Sequence, residues 1–461
     1  MSLTGRAGLA GLGALSALVY ASAIPLSAWL GVEPLWLHLP QFGASFALYL
    51  LALGLVARGG ATRRGALPII VGFALLFRIL QVWTPVYLSS DAYRYLWDGR
   101  VQLSGLNPYR YPPAAPELAA LRDSAVHPHI NRPTAVTVYP PAAQWVFALA
   151  AAVTPGTLPA WRMLLLLADA VTMLLLLRLL ERLGAPAAAV VAYAWSPLVV
   201  FEGIQAGHMD LVMIPMVLLA LLWRADGWSG RAGLALGVAT LMKLYPAILL
   251  IAWWRRGDWR FPSAVVATVC LGYLPYAVTV GPGALGFLPT YVSDPHEDFN
   301  LGLRGLLTYP LGIADPVPRN TAMMLLFTLL TAVLIWIART SRHDAPGLWR
   351  ATALAVGAYI LLVPTAMHPW YVLWVVPFLC SIPSPAALFF SGAVTLSYVQ
   401  YMVDPRTLPW WAWLGQYGPL YALVIYEWRT GRFRPDHWTS PAGEPRAIGA
   451  GASRTTEVAR G

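Results

Sequence analysis

Long apolar runs alternate with short polar segments along the chain. Most of the runs are about 15–24 residues long, close to the roughly 20 that an α-helix needs to cross the hydrocarbon core. They lie at 8–30, 41–57, 67–84, 160–181, 186–203, 211–223, 262–282, 320–338, 349–363, 371–381, 386–402 and 411–427. Backbone groups in lipid must be paired within the segment, and the runs lack the alternation of barrel strands. The pattern predicts an all-α polytopic integral membrane protein with about ten to thirteen transmembrane helices.

Arginines between the runs indicate the topology. Arg58, Arg63 and Arg64 follow the second run, which predicts that this loop is cytoplasmic. Residues 85–139 then emerge on the opposite side and form the longest polar stretch. Because a long loop in a compact fold is usually functional, we expect a large external first loop with short interfacial helices, one of them at 91–103.

Two apolar segments do not fit a simple crossing. At 1.5 Å per residue, 141–153 reaches about 20 Å, less than the roughly 30 Å core, which favours partial entry. The segment 232–254 is interrupted at Lys243-Leu244-Tyr245-Pro246. It either crosses straight or forms a hairpin with its tip at Lys243. The hairpin is preferred because it places the polar motifs on one side.

Composition supports one membrane domain. Of the 461 residues, 58% are hydrophobic and 11% charged. The net charge of +10 comes from arginines in loops, so it indicates topology and a lipid environment, not nucleic-acid binding. We expect a single domain over 1–435 in the cell membrane. The Gly-, Pro- and Ala-rich segment 436–461 is predicted to be a disordered cytoplasmic tail.

Charged residues cluster at the start of the external loop. On a helix, Asp91, Arg94, Tyr95 and Asp98 share one face, and Arg94 is placed to hold Asp91 ionised. The plain alternative is a set of solvated ion pairs that contribute little. Lys243 is the only lysine among 31 Lys and Arg residues, and it interrupts an apolar segment. Ionisable residues there are usually functional, so Lys243 is a candidate phosphate contact, with a buried structural lysine as the alternative.

Three further positions follow the ends of apolar runs. His208 and Asp210 come after two glycines and are candidates for sugar hydroxyls, or simply for hydrogen bonds at a helix end. His368 stands beside Trp370 at another run end, and Arg304 is a second candidate for phosphate. One His and one Asp are too few to define a metal site, so no metal ligand and no certain cofactor is predicted, although a divalent ion is left open.

Several of these motifs together resemble a known family. They are Asp91-x-x-Arg94-Tyr95-x-x-Asp98-Gly99, Gly105-x-Asn107-Pro108-Tyr109, Tyr139-Pro140-Pro141, Gly207-His208-Met209-Asp210, Lys243-Leu244-Tyr245-Pro246 and His368-Pro369-Trp370-Tyr371. The pattern is similar to the membrane glycosyltransferases of the GT-C superfamily. Within it, the similarity is to the bacterial polyprenyl-phosphate-mannose-dependent mannosyltransferases of glycosyltransferase family 87, and it extends over about residues 67–380.

The resemblance implies a GT-C-like fold and a hexosyltransferase. Such an enzyme moves a hexose, here implied to be mannose, from a polyprenyl phosphate donor to a lipid-linked or glycan acceptor with inversion. Its active site faces the cell exterior or periplasm. Asp91 matches the family's proposed catalytic base. The expected phosphate-binding residues are Lys243, Arg94 and Arg304, and the expected sugar or acceptor contacts are Asp98, Tyr95, His208, Asp210 and His368.

Two other classes of protein remain as alternatives. A transporter or flippase of lipid-linked sugars predicts charges near the bilayer midplane and internal repeats. Here the polar residues gather at one face, and the sequence has no evident repeat. A non-catalytic subunit for envelope assembly has no need for the combination of Asp, His and Lys.

Overall fold

The regular elements in the described part of the chain are helices. A computed structural model describes residues 3–59, 65–153, 156–308, 315–363, 366–404 and 406–432. Within these ranges the only strand-like pairing is an isolated bridge between Phe299 and Ala366. The all-α prediction is therefore confirmed. The predicted tail at 436–461 lies outside the described residues.

Thirteen helices of at least nine residues lie in the described ranges, with shorter turns between them. The long helices are Leu3–Leu30, Pro34–Arg58, Ala66–Val82, Asp91–Leu103, Pro141–Val153, Leu158–Arg182, Asp210–Ala225, Ser229–Met242, Arg260–Val280, Arg319–Thr340, Ala345–Leu362, Pro385–Ala393 and Trp410–Arg429. The short ones include Ala187–Val190, Val191–Ala194, Val199–Gln205, Tyr245–Ala247, Ile248–Ala252, Leu288–Ser293, Leu303–Thr308, Pro369–Val372, Val376–Cys380 and Val394–Tyr401.

The number of spans is lower than the apolar runs predict. In the described part, six helices are long and apolar enough to cross a membrane: Gly5–Leu30, Pro34–Arg58, Leu158–Arg182, Arg260–Ser293, Arg319–Thr340 and Ala345–Leu362. A seventh is the pair Ala187–Ala194 and Val199–Gln205, if this element, bent by 62°, is one span. The expectation of about ten to thirteen was too high by this criterion. Runs such as 371–381 and 386–402 fold into short helical pieces packed inside the protein.

A buried ion pair joins the central helices. Arg78 Nε lies 2.5 Å from Asp169 Oδ2, and both side chains are fully buried. Tyr193 donates its hydroxyl to the other Asp169 oxygen at 2.6 Å, and Arg78 also donates to the carbonyl of Ala194 at 2.7 Å. A buried charge is tolerated only when paired and hydrogen-bonded, so this cluster fixes how three segments pack.

The segment around Lys243 is a hairpin. Arg224, at the end of the preceding helix, donates to the carbonyl of Trp253 at 3.0 Å and forms an ion pair with Asp258. Ser229 Oγ also donates to Asp258, at 2.7 Å. The chain therefore leaves and returns at one place, which confirms the hairpin interpretation. Its tip at Lys243 reaches the opposite end of the helices.

The first loop is built on two crossed short helices. The helix Asp91–Leu103 has the bounds expected from the sequence. Pro141–Val153 packs across it, so closely that a Cβ at Gly99 would collide with the carbonyl of Phe147. The rings of Tyr95 and Phe147 stack with centroids 4.7 Å apart. The 141–153 helix thus packs against the helix of the first loop and supports it, which agrees with its short length.

Candidate active site

A cavity of about 740 Å³ opens where the first loop meets the hairpin tip. Its walls come from segments far apart in sequence: the start of the Asp91–Leu103 helix, the loop 131–140, the hairpin tip 242–248 and the turn 368–371. The predicted residues Asp91, Arg94, Lys243 and His368 all line it. The fold therefore brings these four candidates to one place.

Asp91 is held in a fixed orientation at the cavity wall. Asn131 Nδ2 donates to its Oδ1 at 2.6 Å, and the Tyr139 hydroxyl donates to its Oδ2 at 3.3 Å. The side chain remains 17% exposed. A carboxylate can accept about four hydrogen bonds, so acceptor capacity remains for a ligand in the cavity. Tyr139 belongs to the Tyr-Pro-Pro motif, whereas Asn131 was not singled out in the sequence.

Arg94 does not hold Asp91, contrary to the expectation from helical spacing. Its Nε donates to Asp98 at 2.8 Å, and its Nη1 donates to the carbonyl of Ala135 at 3.1 Å. Asp98 also accepts from Gln144 at 3.2 Å. Arg94 pairs with the aspartate four residues ahead, and not with the one three residues back. Gln144 and the loop carbonyl complete a buried network around that pair. Arg94 thus ties the loop 131–140 to the helix.

Two predicted sugar contacts lie behind the cavity wall. Asp98 and Tyr95 are both buried and are not among the cavity-lining residues. The Tyr95 ring packs between Phe147 and Tyr139, at 4.7 and 5.0 Å between centroids. As placed, both side chains support residues that line the cavity, and the structure does not bring them to a ligand.

Lys243 and Asp210 form one unit. The Lys243 Nζ lies 2.9 Å from Asp210 Oδ2, with the lysine side chain 12% exposed and the aspartate fully buried. Tyr245 donates its hydroxyl to the other oxygen at 2.5 Å. Lys243 also lies 5.3 Å from the centroid of the Tyr371 ring. Asp210 is thus the counter-ion behind Lys243, and only the lysine reaches the cavity.

His208 and His368 belong to a stack of aromatic rings. The stack runs from His208 to Trp370, His368 and Phe299, with successive centroids 4.0, 4.2 and 4.6 Å apart. His368 lines the cavity. Its burial, together with nearby Arg132 and Lys243, lowers its pKa to about 3. It is therefore neutral at physiological pH and can exchange hydrogen bonds with a ligand but offers no charge.

Arg304 lies elsewhere. Its guanidinium is buried and 2.6 Å from Asp298, which also accepts from Arg319 at 2.9 Å. Arg304 is not among the residues that line the cavity, so the structure does not place this candidate with the others. The cavity cation that the sequence did not indicate is Arg132, which pairs with Glu297 of a second loop at 2.9 Å. The Arg132 backbone has a φ of 48°, and no local sequence pattern indicates this conformation.

The cavity has two chemical sectors. Near Asp91 and Lys243 its lining is polar. The apolar part of its lining comes from the hairpin tip and from helices that include Arg319–Thr340. This sector is lined by Met242, Leu244, Ile248, Leu288, Met323, Phe327 and Val363. Phe327 is also exposed on the outer face of its apolar helix, so the apolar sector extends to the surface that meets lipid.

No metal site is evident in the described ranges. They contain no group of three or more His, Cys, Asp or Glu side chains arranged to hold a metal ion.

The long apolar helices and the polar cavity at one end of them define a polytopic membrane protein with a one-sided site. Residues 137–363 match the family model of glycosyltransferase family 87. The resemblance to GT-C membrane glycosyltransferases is therefore confirmed, over a shorter range than the motifs suggested. The matched range includes Tyr139, His208 and Lys243, while Asp91 and His368 lie outside it.

Among solved structures, the chain is similar to ArnT from Cupriavidus metallidurans bound to undecaprenyl phosphate. The identity is 15%, with 82% of this chain and 75% of that chain covered at a TM-score of 0.43. A comparison with curated proteins gave no match.

Proposed function

We propose that the protein transfers a hexose, mannose in the first instance, from a polyprenyl phosphate to a lipid-linked or glycan acceptor. The transfer inverts the anomeric carbon, and Asp91 is the general base. One observation carries the proposal: Asp91, oriented by Asn131 and Tyr139, faces a cavity whose other sector is apolar and reaches the lipid-facing surface.

Asp91 has the chemistry that the acceptor needs. A sugar hydroxyl is a weak nucleophile, and a carboxylate within hydrogen-bond reach can take its proton during attack. Asn131 and Tyr139 each donate to one carboxylate oxygen and so fix its direction. Inversion requires one such base on the face of the sugar opposite the departing phosphate.

The cations of the cavity suit the donor. As the glycosidic bond breaks, negative charge builds on the leaving phosphate, and fixed positive charges nearby stabilise the transition state. Lys243 and Arg94 line the cavity with Asp91 and supply such charges. The volume of about 740 Å³ falls within the range of small-molecule sites, and the apolar sector suits the isoprenoid chain.

We further propose that the cavity faces the cell exterior or periplasm. The opposite ends of the helices carry Arg58, Arg182, Arg224, Arg339 and Arg429. By the positive-inside rule, this basic end is cytoplasmic and the Asp91 end external. The match to the family 87 model and a one-sided cavity favour an enzyme over a flippase or an assembly subunit.

Release of the lipid carrier tests the proposal. Purified protein is incubated with labelled polyprenyl-phosphate-mannose and, separately, with the glucose analogue, each with a lipid-linked mannoside acceptor. We expect polyprenyl phosphate to appear together with a glycosylated acceptor, faster with the mannose donor. Release with glucose alone would overturn mannose as the sugar, and no release from either donor would overturn the proposed activity.

A further inference from the structure

His208 lies between two carboxylates. Its Nδ1 is 3.9 Å from Asp91 Oδ2, and its Nε2 is 3.5 Å from Glu202 Oε2. His208 and Glu202 are fully buried. Neither ring nitrogen of His208 has a hydrogen-bond partner among the described residues. A buried imidazole normally satisfies at least one nitrogen, so this position has an unmet requirement.

Glu202 is anchored from its other side. The hydroxyl of Tyr398 lies 2.9 and 3.0 Å from its two carboxylate oxygens. Glu202 stands in a π-helical turn, Val199–Gln205, on the bent element next to the cavity. Such turns insert an extra residue into a helix and often mark functional sites. The local geometry therefore directs a buried acid toward His208.

Packing alone does not account for this arrangement. The face of the His208 ring stacks on Trp370 at 4.0 Å, a contact that a phenylalanine would also make. The stacking leaves the ring edge, with both nitrogens, between Asp91 and Glu202. Burying Glu202 without a full partner costs free energy that an apolar residue would not incur. The arrangement of His208 and Glu202 therefore fits a role in proton transfer.

We propose that His208 and Glu202 are positioning residues that relay the proton from Asp91 into the interior during sugar transfer. This inference rests on the proposed function. His208 acts through Asp91 and Glu202 acts through His208, so neither touches the substrate. The relay requires small side-chain movements that close the gaps of 3.9 and 3.5 Å.

The step balances in atoms and electrons. The acceptor O–H bond breaks, its oxygen bonds the anomeric carbon, and the bond from that carbon to phosphate breaks with its electron pair leaving on the phosphate. The proton passes to Asp91 and then to His208 Nδ1, while the proton on Nε2 passes to Glu202. On reset the path reverses: Glu202 returns a proton to Nε2, Nδ1 returns its proton to Asp91, and Asp91, which lines the cavity, releases it to solvent. No oxidant or reductant takes part.

The surroundings of His208 determine when its ring holds a proton. Burial places the pKa of His208 well below its usual value, and the positive charge of Lys243 acts in the same direction. Asp91 and Glu202 flank the ring and favour the proton. His208 therefore carries the proton only in transit. Tyr398 donates a hydrogen bond to Glu202, and the relay requires Glu202 in its ionised form.

The test compares the pH profile of turnover in matched variants. Glu202→Gln keeps the shape of the side chain and removes its ionisation. We expect kcat to fall about 10- to 100-fold with KM for the donor little changed. The rise of kcat with pH should also lose one ionisation, and Glu202→Asp should restore part of the rate. The control is Glu427→Gln, a second buried glutamate, which accepts from Ser384 and should keep the wild-type profile.

A second variant keeps the inference testable if Glu202→Gln folds poorly. His208→Gln interrupts the relay at its centre and should alter the pH profile in the same way. The double variant should be no slower than the slower single one, because residues acting as a unit are not additive. A wild-type profile in folded single variants, or multiplicative losses in the double variant, overturns the relay alone. Wild-type protein that releases no polyprenyl phosphate overturns the proposed function and the relay with it.

Discussion

The ammonium group of Lys243 faces two neighbours of different kinds. On one side is the buried carboxylate of Asp210, 2.9 Å away, and on the other is the cavity. Removing one member of a buried ion pair leaves an uncompensated charge, which typically costs about 3–5 kcal/mol of stability. A simple test of Lys243 as a phosphate contact would therefore mix catalysis with folding.

Replacement of both partners separates the two effects. We expect Lys243→Met to lower both the thermal stability and the turnover, because Asp210 loses its counter-ion. The double variant Lys243→Met with Asp210→Asn should regain most of the stability but not the turnover, since the phosphate would still lack its cation. Thermal unfolding and donor turnover are measured on the same preparations. Turnover restored along with stability would make Lys243 a structural residue.

At the residue level, the sequence predicted the positions of candidate functional residues better than it predicted their hydrogen-bond partners. A single lysine in an apolar run pointed to Lys243, and the match to the family motif pointed to Asp91. Helical spacing wrongly joined Arg94 to Asp91, because the partner was decided by Gln144 and a loop carbonyl that are distant in sequence. Asn131, Arg132 and Glu202 were missed for the same reason: contacts over 40 to 196 residues define them.

The hairpin is the element that brings Lys243 to Asp91. Its limbs are held at the base by Arg224, which is fully buried against Asp258, Ser229 and the carbonyl of Trp253. The Arg224 guanidinium also lies 4.4 Å from the centroid of the Phe261 ring. One side chain thus fixes where the chain leaves and where it returns.

Loss of the contacts made by Arg224 should also affect the distant hairpin tip at Lys243. We expect Arg224→Met to lower the free energy of unfolding by roughly 3 kcal/mol, since it leaves Asp258 and a carbonyl without their donor. The donor turnover should also fall, because the tip is no longer held. Arg231→Met is the control: Arg231 is exposed and only stacks on Trp228, so its change should stay within about 0.5 kcal/mol. Equal stability of the two variants would refute this role of Arg224.

The apolar pattern predicted correctly that the elements are helices, but it did not predict the number of membrane spans. An apolar run of 11 to 17 residues reads alike whether it crosses lipid or packs inside the protein. The helix Asp91–Leu103 was placed with the bounds the structure gives, because its polar face and flanking turn signals are local. The hairpin was favoured because it places the polar motifs on one side, while its closure at Arg224 could be seen only in the folded chain.

At the scale of the whole molecule, the basic ends of the helices and the Asp91 cavity lie on opposite sides. Arg255 donates to the carbonyl of His343 at the hairpin base, whereas Arg319 pairs with Asp298 near the second loop. The helix Arg319–Thr340 thus joins the two sides. The arginine distribution predicts which side is cytoplasmic.

Cysteine labelling of intact cells tests this orientation. With the exposed Cys270 replaced by alanine, a membrane-impermeant thiol reagent should label Ser104→Cys, which lies in the first loop. Arg342→Cys lies past the far end of the Arg319–Thr340 helix, is similarly exposed, and should react only after permeabilisation. The reverse pattern would invert the proposed topology.

The proposed mechanism depends most on Asp91 as the base, and turnover of Asp91→Asn in the polyprenyl-phosphate-mannose assay tests this directly. Asparagine keeps the shape and most hydrogen bonds but cannot take the proton, so the rate should fall about 100- to 10,000-fold with donor affinity nearly unchanged. Asp98→Asn is the matched control. Asp98 is buried with Arg94, so its change should lower stability more than the rate of the folded protein. Near-normal transfer by Asp91→Asn, at expression equal to wild type, would contradict the role of Asp91 as the base.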